Sequence, residues 1–328
     1  MKAVSLFSGG LDSQLAAKLI ANLGIDVIMV NFCTPFFGTT PAMEMAAQNL
    51  ELPLVSLDIS DTYMDVLKNP RYGYGKNMNP CIDCHAFMLT NAGRYMESIG
   101  GSFLVTGEVL GQRPMSQNKS SLEAVAKHSG YRGLILRPLS AKLLAPTLPE
   151  LEGWVDREKL LDINGRSREV QMRLADELGI KEYPSPAGGC LLTQQSFSKR
   201  LRQVLKAKPE ATADDMHLLR SGRHFWLGNH LLVVGRNINE NQAIENLARS
   251  EDYLIKTQTY PGPTALLREF GAAGSDEILD LAASICARYS DAPQTGEPVA
   301  VKVWHPGEHI ENQRMVSPCR PEDVPMTF

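Results

Sequence analysis

Two groups of residues in this chain have the types and spacing to do chemistry. The first is Ser8-Gly9-Gly10-Leu11-Asp12-Ser13. Paired glycines let backbone approach a ligand closely, and a helix beginning after them points free N–H groups at an anion. Ser8 and Ser13 add hydroxyl donors. The pattern is that of a phosphate-binding turn. It lacks the lysine of G-x-x-x-x-G-K-S/T, so it is not a Walker loop. The plainer alternative is a glycine-rich turn with a Ser or Asp helix cap. The second group is Cys81-Ile82-Asp83-Cys84, directly after Asn79-Pro80, together with Cys190. Cys190 ends the breaker-rich stretch Tyr183-Pro-Ser-Pro-Ala-Gly-Gly-Cys190. A C-x-x-C pair with one further loop cysteine permits several chemistries. It could be a redox pair, or a zinc site with His85 as fourth ligand. Three thiolates can hold a 4Fe–4S cluster with one iron left open for a sulfide. Without metal, one cysteine can carry a persulfide and another resolve the disulfide.

The surrounding elements must position these groups. Ala3 to Phe7 is a short apolar run that reads as a buried parallel strand. It leads through the glycine turn into a helix with Leu11, Leu15, Leu19, Ile20 and Leu23 at helical spacing. Further strands are predicted over 25–32, 54–59, 103–106 and 134–136. Helices are predicted over 42–50, 84–99, 120–128 and about 167–178. This alternation predicts an α/β fold, a doubly wound parallel sheet with ligands outside the carboxyl ends of its strands. After about residue 195 the character changes. A hairpin over 225–234, a helix over 239–249 and a strand over 253–258 predict a smaller α+β domain. The expected divisions are 1–195, 196–290 and a terminal strand and tail over 291–328.

Composition narrows the class. The chain has 328 residues, 43% of them hydrophobic, enough for two cores. No apolar run is long enough to span a bilayer, and the first residues read as a strand rather than a signal peptide. The expectation is a cytoplasmic protein that makes no membrane contact. Six cysteines in that compartment argue for metal or sulfur chemistry over disulfides. A net charge of −4 leaves any nucleic-acid surface to a local patch.

The run S-G-G-L-D-S resembles the PP-loop of the ATP pyrophosphatases, enzymes of HUP-like fold that split ATP into AMP and pyrophosphate. The resemblance implies that Ser8, Gly9, Gly10 and Ser13 cradle phosphates and that Asp12 orients Mg2+ or the phosphate chain. Thr106-Gly107-Glu108-Val109-Leu110-Gly111-Gln112 with Ser116-Gln117 is similar to the T-G-E-S-L-G-Q…S-Q run of tRNA 4-thiouridine synthetases, here with one extra residue between the halves. Leu136-Arg137-Pro138-Leu139 matches the R-P-L that follows in that family. Asn79-Pro80-Cys81 with Cys84 resembles the N-P-C-x-x-C of tRNA 2-thiouridylases and of cluster-bearing 4-thiouridine synthetases, and Cys190 takes the place of their downstream cysteine. These resemblances imply an ATP-dependent tRNA sulfurtransferase that adenylates a uracil carbonyl and replaces its oxygen with sulfur. They place Gly107 and Gln112 at the nucleotide, and make Cys81, Cys84 and Cys190 the sulfur centre, with a 4Fe–4S cluster as the cofactor expected there. ATP, Mg2+, tRNA and a sulfur donor, either sulfide or a persulfide carrier protein, are the implied companions; a homodimer is also allowed. The competing readings are a PP-loop ligase that delivers an amine, and an RNA-binding protein with a vestigial ATP loop.

The 4-thiouridine synthetases carry an RNA-binding THUMP domain before the PP-loop. Neither a THUMP segment before the PP-loop nor a rhodanese module after it is recognised in these 328 residues, and RNA binding is expected from the second domain. Ser221-Gly222-Arg223-His224-Phe225-Trp226 and Val233-Val234-Gly235-Arg236-Asn237-Ile238-Asn239-Glu240-Asn241 resemble the RNA-binding region of NFACT-type proteins. Arg223 and Arg236 could pair with phosphates, and His224, Phe225 or Trp226 could stack a base. Lys199, Arg200, Arg202, Lys206 and Lys208 form a basic run close in sequence to Cys190. Cys33, Cys286, Cys319, His305 and His309 carry weaker signals and are expected in the core or at the surface.

Overall fold

A computed structural model gives the fold, and it describes residues 1–185, 190–270, 275–308 and 312–326. His309 and part of the stretch before Cys190 lie outside the described residues. The chain forms two compact units, Met1–Thr193 and Gln194–Phe328.

The first unit alternates strand and helix. Its elements are β1 (Lys2–Leu6), α1 (Leu11–Ala21), β2 (Asp26–Cys33), α2 (Pro41–Leu50), β3 (Leu54–Asp58), α3 (Ser60–Lys68), α4 (Cys81–Ser98), β4 (Phe103–Val105), α5 (Lys119–Ser129), β5 (Ile135–Leu136), α6 (Leu148–Leu151) and α7 (Glu169–Glu177). The strands form one parallel sheet in the order β3-β2-β1-β4-β5. Ala3, Val4 and Ser5 are all buried, as expected of a strand covered on both faces. In the register Val4 lies between Ile28 of β2 and Leu104 of β4. The strand order reverses at β1, so the turn that follows β1 sits at the topological switch point, where open α/β sheets bind ligands. Leu11, Leu15, Ala16, Ala17 and Ile20 bury the inner face of α1 in the core with Phe103 and Val105.

The second unit begins with α8 (Gln195–Ala207) and α9 (Ala213–His217). Then come β6 (Arg223–Leu227), β7 (His230–Val234), α10 (Ile238–Asn246), β8 (Tyr253–Thr257), β9 (Ala265–Glu269), α11 (Asp276–Arg288), β10 (Val299–Trp304) and β11 (Asn312–Val316). Its sheet is antiparallel, in the order β11-β10-β8-β9-β7-β6. The segment read from sequence as a terminal strand and tail therefore supplies two strands of this sheet. Cys286 is fully buried on α11, in a core with Phe225, Ile255 and Val301.

Candidate active site

The glycine turn is shaped by its own side chains. Gly9 takes a left-handed backbone, φ +72°, and a side chain there would press on Met43 of α2 at 3.2 Å. Ser13 Oγ donates to the Gly10 carbonyl at 2.8 Å, and the Ser8 amide lies 3.3 Å from Ser13 Oγ. The first intrahelical bond of α1 is Gln14 N–H to Gly10 C=O. The amides of Leu11, Asp12 and Ser13 precede it, as at any helix start, and carry the positive end of the dipole.

Asp12 is held by the loop that follows β4, the strand beside β1. Gln112 Nε2 donates to Asp12 Oδ2 at 3.0 Å, while Asp12 Oδ1 is buried with no hydrogen-bond partner. A buried carboxylate oxygen without a donor is costly unless a ligand completes it. That oxygen fits a hard cation or a ligand donor. Gly107 explains its own identity: a Cβ would lie 2.6 Å from the Asp12 carbonyl and 2.7 Å from the Ser13 amide. A glycine at 107 therefore allows the loop after β4 to pack against the first turn of α1.

The cysteines lie on a different part of the same unit. α4 begins at Cys81, three residues earlier than its apolar spacing suggests, so Cys81 and Cys84 occupy its first turn. Cys84 is buried; Cys81 and Cys190 are partly exposed. Burial pushes the Cys84 thiol up to about 12, a nearby Tyr63 hydroxyl opposes this, and Cys190 and Cys81 add to it. Burial likewise pushes Cys190 up to about 11, with backbone N–H groups opposing and Cys81 adding. Cys81 is also raised by burial, and Arg113 opposes that rise. The three sulfurs thus share one electrostatic neighbourhood. Tyr63 is fully buried within it, and its hydroxyl titrates well above its usual value, first through burial and then through all three cysteines. Phe36 and Phe37 pack on the Tyr63 ring, with centroids 5.9 and 5.4 Å away; Phe36 is buried in the core and Phe37 is half-buried. Among the described residues, no group of three His, Cys, Asp or Glu is placed to hold a metal ion.

A buried ion-pair network links the two halves. Arg137 Nε donates to Glu108 Oε2 at 2.8 Å, Thr106 Oγ1 donates to the same oxygen at 3.1 Å, and His85 Nδ1 lies 3.0 Å from Oε1. Burial alone would raise the Glu108 carboxyl; Arg137 and His85 overcome it and lower it to about 2. His85 follows Cys84, so the T-G-E motif fixes the cysteine helix to β4 and β5. Gln14 of α1 makes a second link, donating to Gly9 O at 2.8 Å and to Glu182 O at 3.1 Å on the segment leading toward Cys190. Sequence reading did not assign roles to Tyr63, Glu108, Arg113 or Arg137. Glu108 and Arg137 stand inside the recognised motifs, whereas Tyr63 and Arg113 had no signal beyond their types.

In the second unit, Lys199 and Arg202 are exposed on α8, and Arg200 is half-buried with Nη1 donating to Leu219 O at 3.2 Å. Lys208 pairs with buried Asp215 at 3.1 Å. Arg223 lies over the Tyr289 ring, 4.6 Å from its centroid. Arg236 is paired with Glu240 four residues on, through Nε at 2.9 and 3.0 Å and through Nη2. His224 and Phe225 are fully buried and cannot stack a base; of the three aromatic candidates only Trp226 is partly exposed. It packs near Phe270, centroids 5.5 Å apart.

Comparison with known proteins gives two family matches. Residues 1–142 match the family described as thiamine biosynthesis protein (ThiI), and residues 222–328 match the NFACT protein RNA binding domain. A tRNA-specific 2-thiouridylase MnmA of Xanthobacter autotrophicus is 25% identical over 298 residues, covering 81% of this chain and 70% of the relative. A probable tRNA sulfurtransferase of Ureaplasma parvum is 30% identical over 145 residues, covering 43% of this chain and 37% of the relative. A solved 4-thiouridine synthetase–RNA complex with bound ATP aligns at a TM-score of 0.36 and 22% identity, covering 66% of this chain and 53% of that one.

Proposed function

Because the chain joins a ThiI-family PP-loop domain to an NFACT-type RNA-binding domain, we propose that it is an ATP-dependent tRNA sulfurtransferase that converts a uridine to a thiouridine. The observation that carries this reading is the coupling of a phosphate turn to a three-cysteine neighbourhood within one unit. The link runs through Gln112 and Asp12 at one end and through Glu108 and His85 at the other.

In this reading the N-terminal amides of α1, with Ser8 and Ser13, bind the ATP phosphates. Asp12 Oδ1 faces the Mg2+ that accompanies them, and Gln112 keeps that carboxylate oriented. The uracil oxygen attacks the α-phosphate and pyrophosphate leaves. The oxygen, now part of an adenylate, departs as AMP when sulfur attacks the ring carbon. The target base must be extruded to reach this chemistry.

Cys81, Cys84 and Cys190 are donors of the type a 4Fe–4S cluster uses, but their placement is not that of an assembled metal site. Such a cluster, when bound, supplies an open iron that can carry sulfide. Their raised thiol pKa values mean that metal-free protein keeps these donors protonated, so binding would release protons. A persulfide route would place the nucleophile at Cys81, which is partly exposed and whose rise through burial is opposed, though not reversed, by Arg113. Purification without oxygen, followed by iron and labile-sulfide analysis, separates the two. About four of each per chain supports the cluster, and metal-free protein that still thiolates tRNA supports the persulfide.

A further inference from the structure

We propose that the loop between α3 and α4 is an RNA-binding element of the catalytic unit, with Tyr72 stacking a base beside the cysteines and Arg71 and Lys76 holding the phosphates around it. The proposal rests on the thiolation reading above and adds a substrate contact to it.

The loop, residues 69–80, contains two cations, Arg71 and Lys76, and no acidic residue. Arg71, Tyr72, Tyr74 and Lys76 are exposed, the two tyrosines at 43% and 41%. Exposed rings alternating with cations are the composition of a single-strand binding surface, because every base has a π face and every nucleotide a phosphate. Large exposed rings are otherwise a cost to a soluble fold.

The loop is built, not slack. Asp83, inside the C-x-x-C, accepts from the Arg71 amide at 3.1 Å and from the Tyr72 amide at 2.9 Å. Both its oxygens are thereby used in fixing the loop to the first turn of α4. Asn77, at φ +59°, donates through Nδ2 to Thr193 O at 2.7 Å, and the Met78 amide donates to Leu192 O at 3.2 Å. One loop therefore touches the helix that carries Cys81 and Cys84 and the segment just after Cys190. Tyr72 is set edge-on to His128 of α5, centroids 5.3 Å apart, and Arg71 Nη1 lies 3.3 Å from His128 Nδ1. In this proposal a base held on Tyr72 rests on a surface fixed to the cysteine-bearing helix, whatever other part of the molecule holds the rest of the RNA.

The test uses the full chain, a mixture of unmodified tRNA transcripts and inorganic sulfide as the only sulfur source. Tyr72→Ala should raise the tRNA concentration for half-maximal AMP release about tenfold, the size expected for one lost base stack. Tyr72→Phe should restore it, and the half-saturating ATP concentration should stay within about twofold. Arg71→Ala with Lys76→Ala should weaken tRNA retention on filters and flatten its salt dependence. If Tyr72→Ala saturates with tRNA like the unaltered chain, the proposal fails. It also fails if the variant is impaired only when a persulfide carrier protein replaces sulfide, since the loop would then be a protein-docking surface. Should the unaltered chain release AMP without making thiouridine, the thiolation reading falls, and filter retention of Tyr72→Ala still decides the loop.

Discussion

At the residue scale, the site depends on contacts that leave no room for substitution. Asp12 has one oxygen bound by Gln112 and one buried without a donor. Asp12→Asn removes the charge a hard cation needs and should cut tRNA-dependent AMP release at least a hundredfold, with the protein still folded. Gln112→Ala leaves the carboxylate present but unheld, so its loss should be smaller; equal losses would contradict the positioning role. Gly107→Ala puts a methyl 2.6 Å from the Asp12 carbonyl. It should lower ATP affinity by displacing the turn, as isothermal titration would read. The Glu108–Arg137 pair is buried on both sides, 5% and 7% exposed. Arg137→Met removes the only full cation beside the buried carboxylate, leaving it His85 and Thr106, and should cost about 3–5 kcal/mol in urea unfolding of the first unit. Retained stability would mean that the pair is not what fixes the cysteine helix.

At the element scale, the two units should respond differently to acid. Glu108 has its carboxyl lowered from 4.5 to about 2. Its contribution is complete above the ordinary value and is lost as pH falls through about 2, so the first unit should weaken between about pH 4.5 and 2. His224 on β6 is held neutral, lowered from 6.5 to about 3, first by burial and then by Arg200 and Arg236, against Ser221 O and Glu240. Its unfolded form binds a proton first, so the second unit should lose stability from about pH 6.5 downward. Two resolved unfolding transitions should therefore separate as pH falls from 7 to 5, with the second unit the less stable. His224→Phe should remove that separation; an unchanged pH profile would refute the cause.

Sequence carried the strand-turn-helix of β1 and α1 because a parallel strand buried on both faces is continuously apolar and glycine punctuates its end. It carried the C-x-x-C and Cys190 because cysteine is rare and its spacing is informative. It did not carry α3, whose inner face is Tyr63, Met64 and Leu67 among polar residues, and so lost the aromatic that sits among the sulfurs. It also missed β9, since Ala265–Glu269 is too short and too apolar for periodicity to choose helix or strand. The pairing of β10 with β8 joins residues more than forty apart, which no local pattern encodes.

At the scale of the whole molecule, an acidic chain that is to act on a large polyanion, as proposed, must gather its affinity in patches. Lys199 and Arg202 project from α8, whereas Arg236 and Lys208 are already engaged by Glu240 and Asp215. Lys199→Glu with Arg202→Glu should therefore reduce tRNA affinity and lower the salt slope by roughly one per lost phosphate contact. Arg236→Gln should do less than either. No helix among the described residues is long and apolar enough to cross a membrane. In the proposed function, nucleotide cleavage and sulfur transfer are one reaction in this chain. Its most direct test is product analysis with ATP labelled in the α-phosphate, unmodified tRNA transcripts and a sulfur source. AMP and pyrophosphate are expected, with AMP formed in step with thiouridine in the digested RNA, and neither product from Asp12→Asn. ADP and phosphate, or AMP formed with an amine rather than sulfur entering the base, would contradict the proposed function.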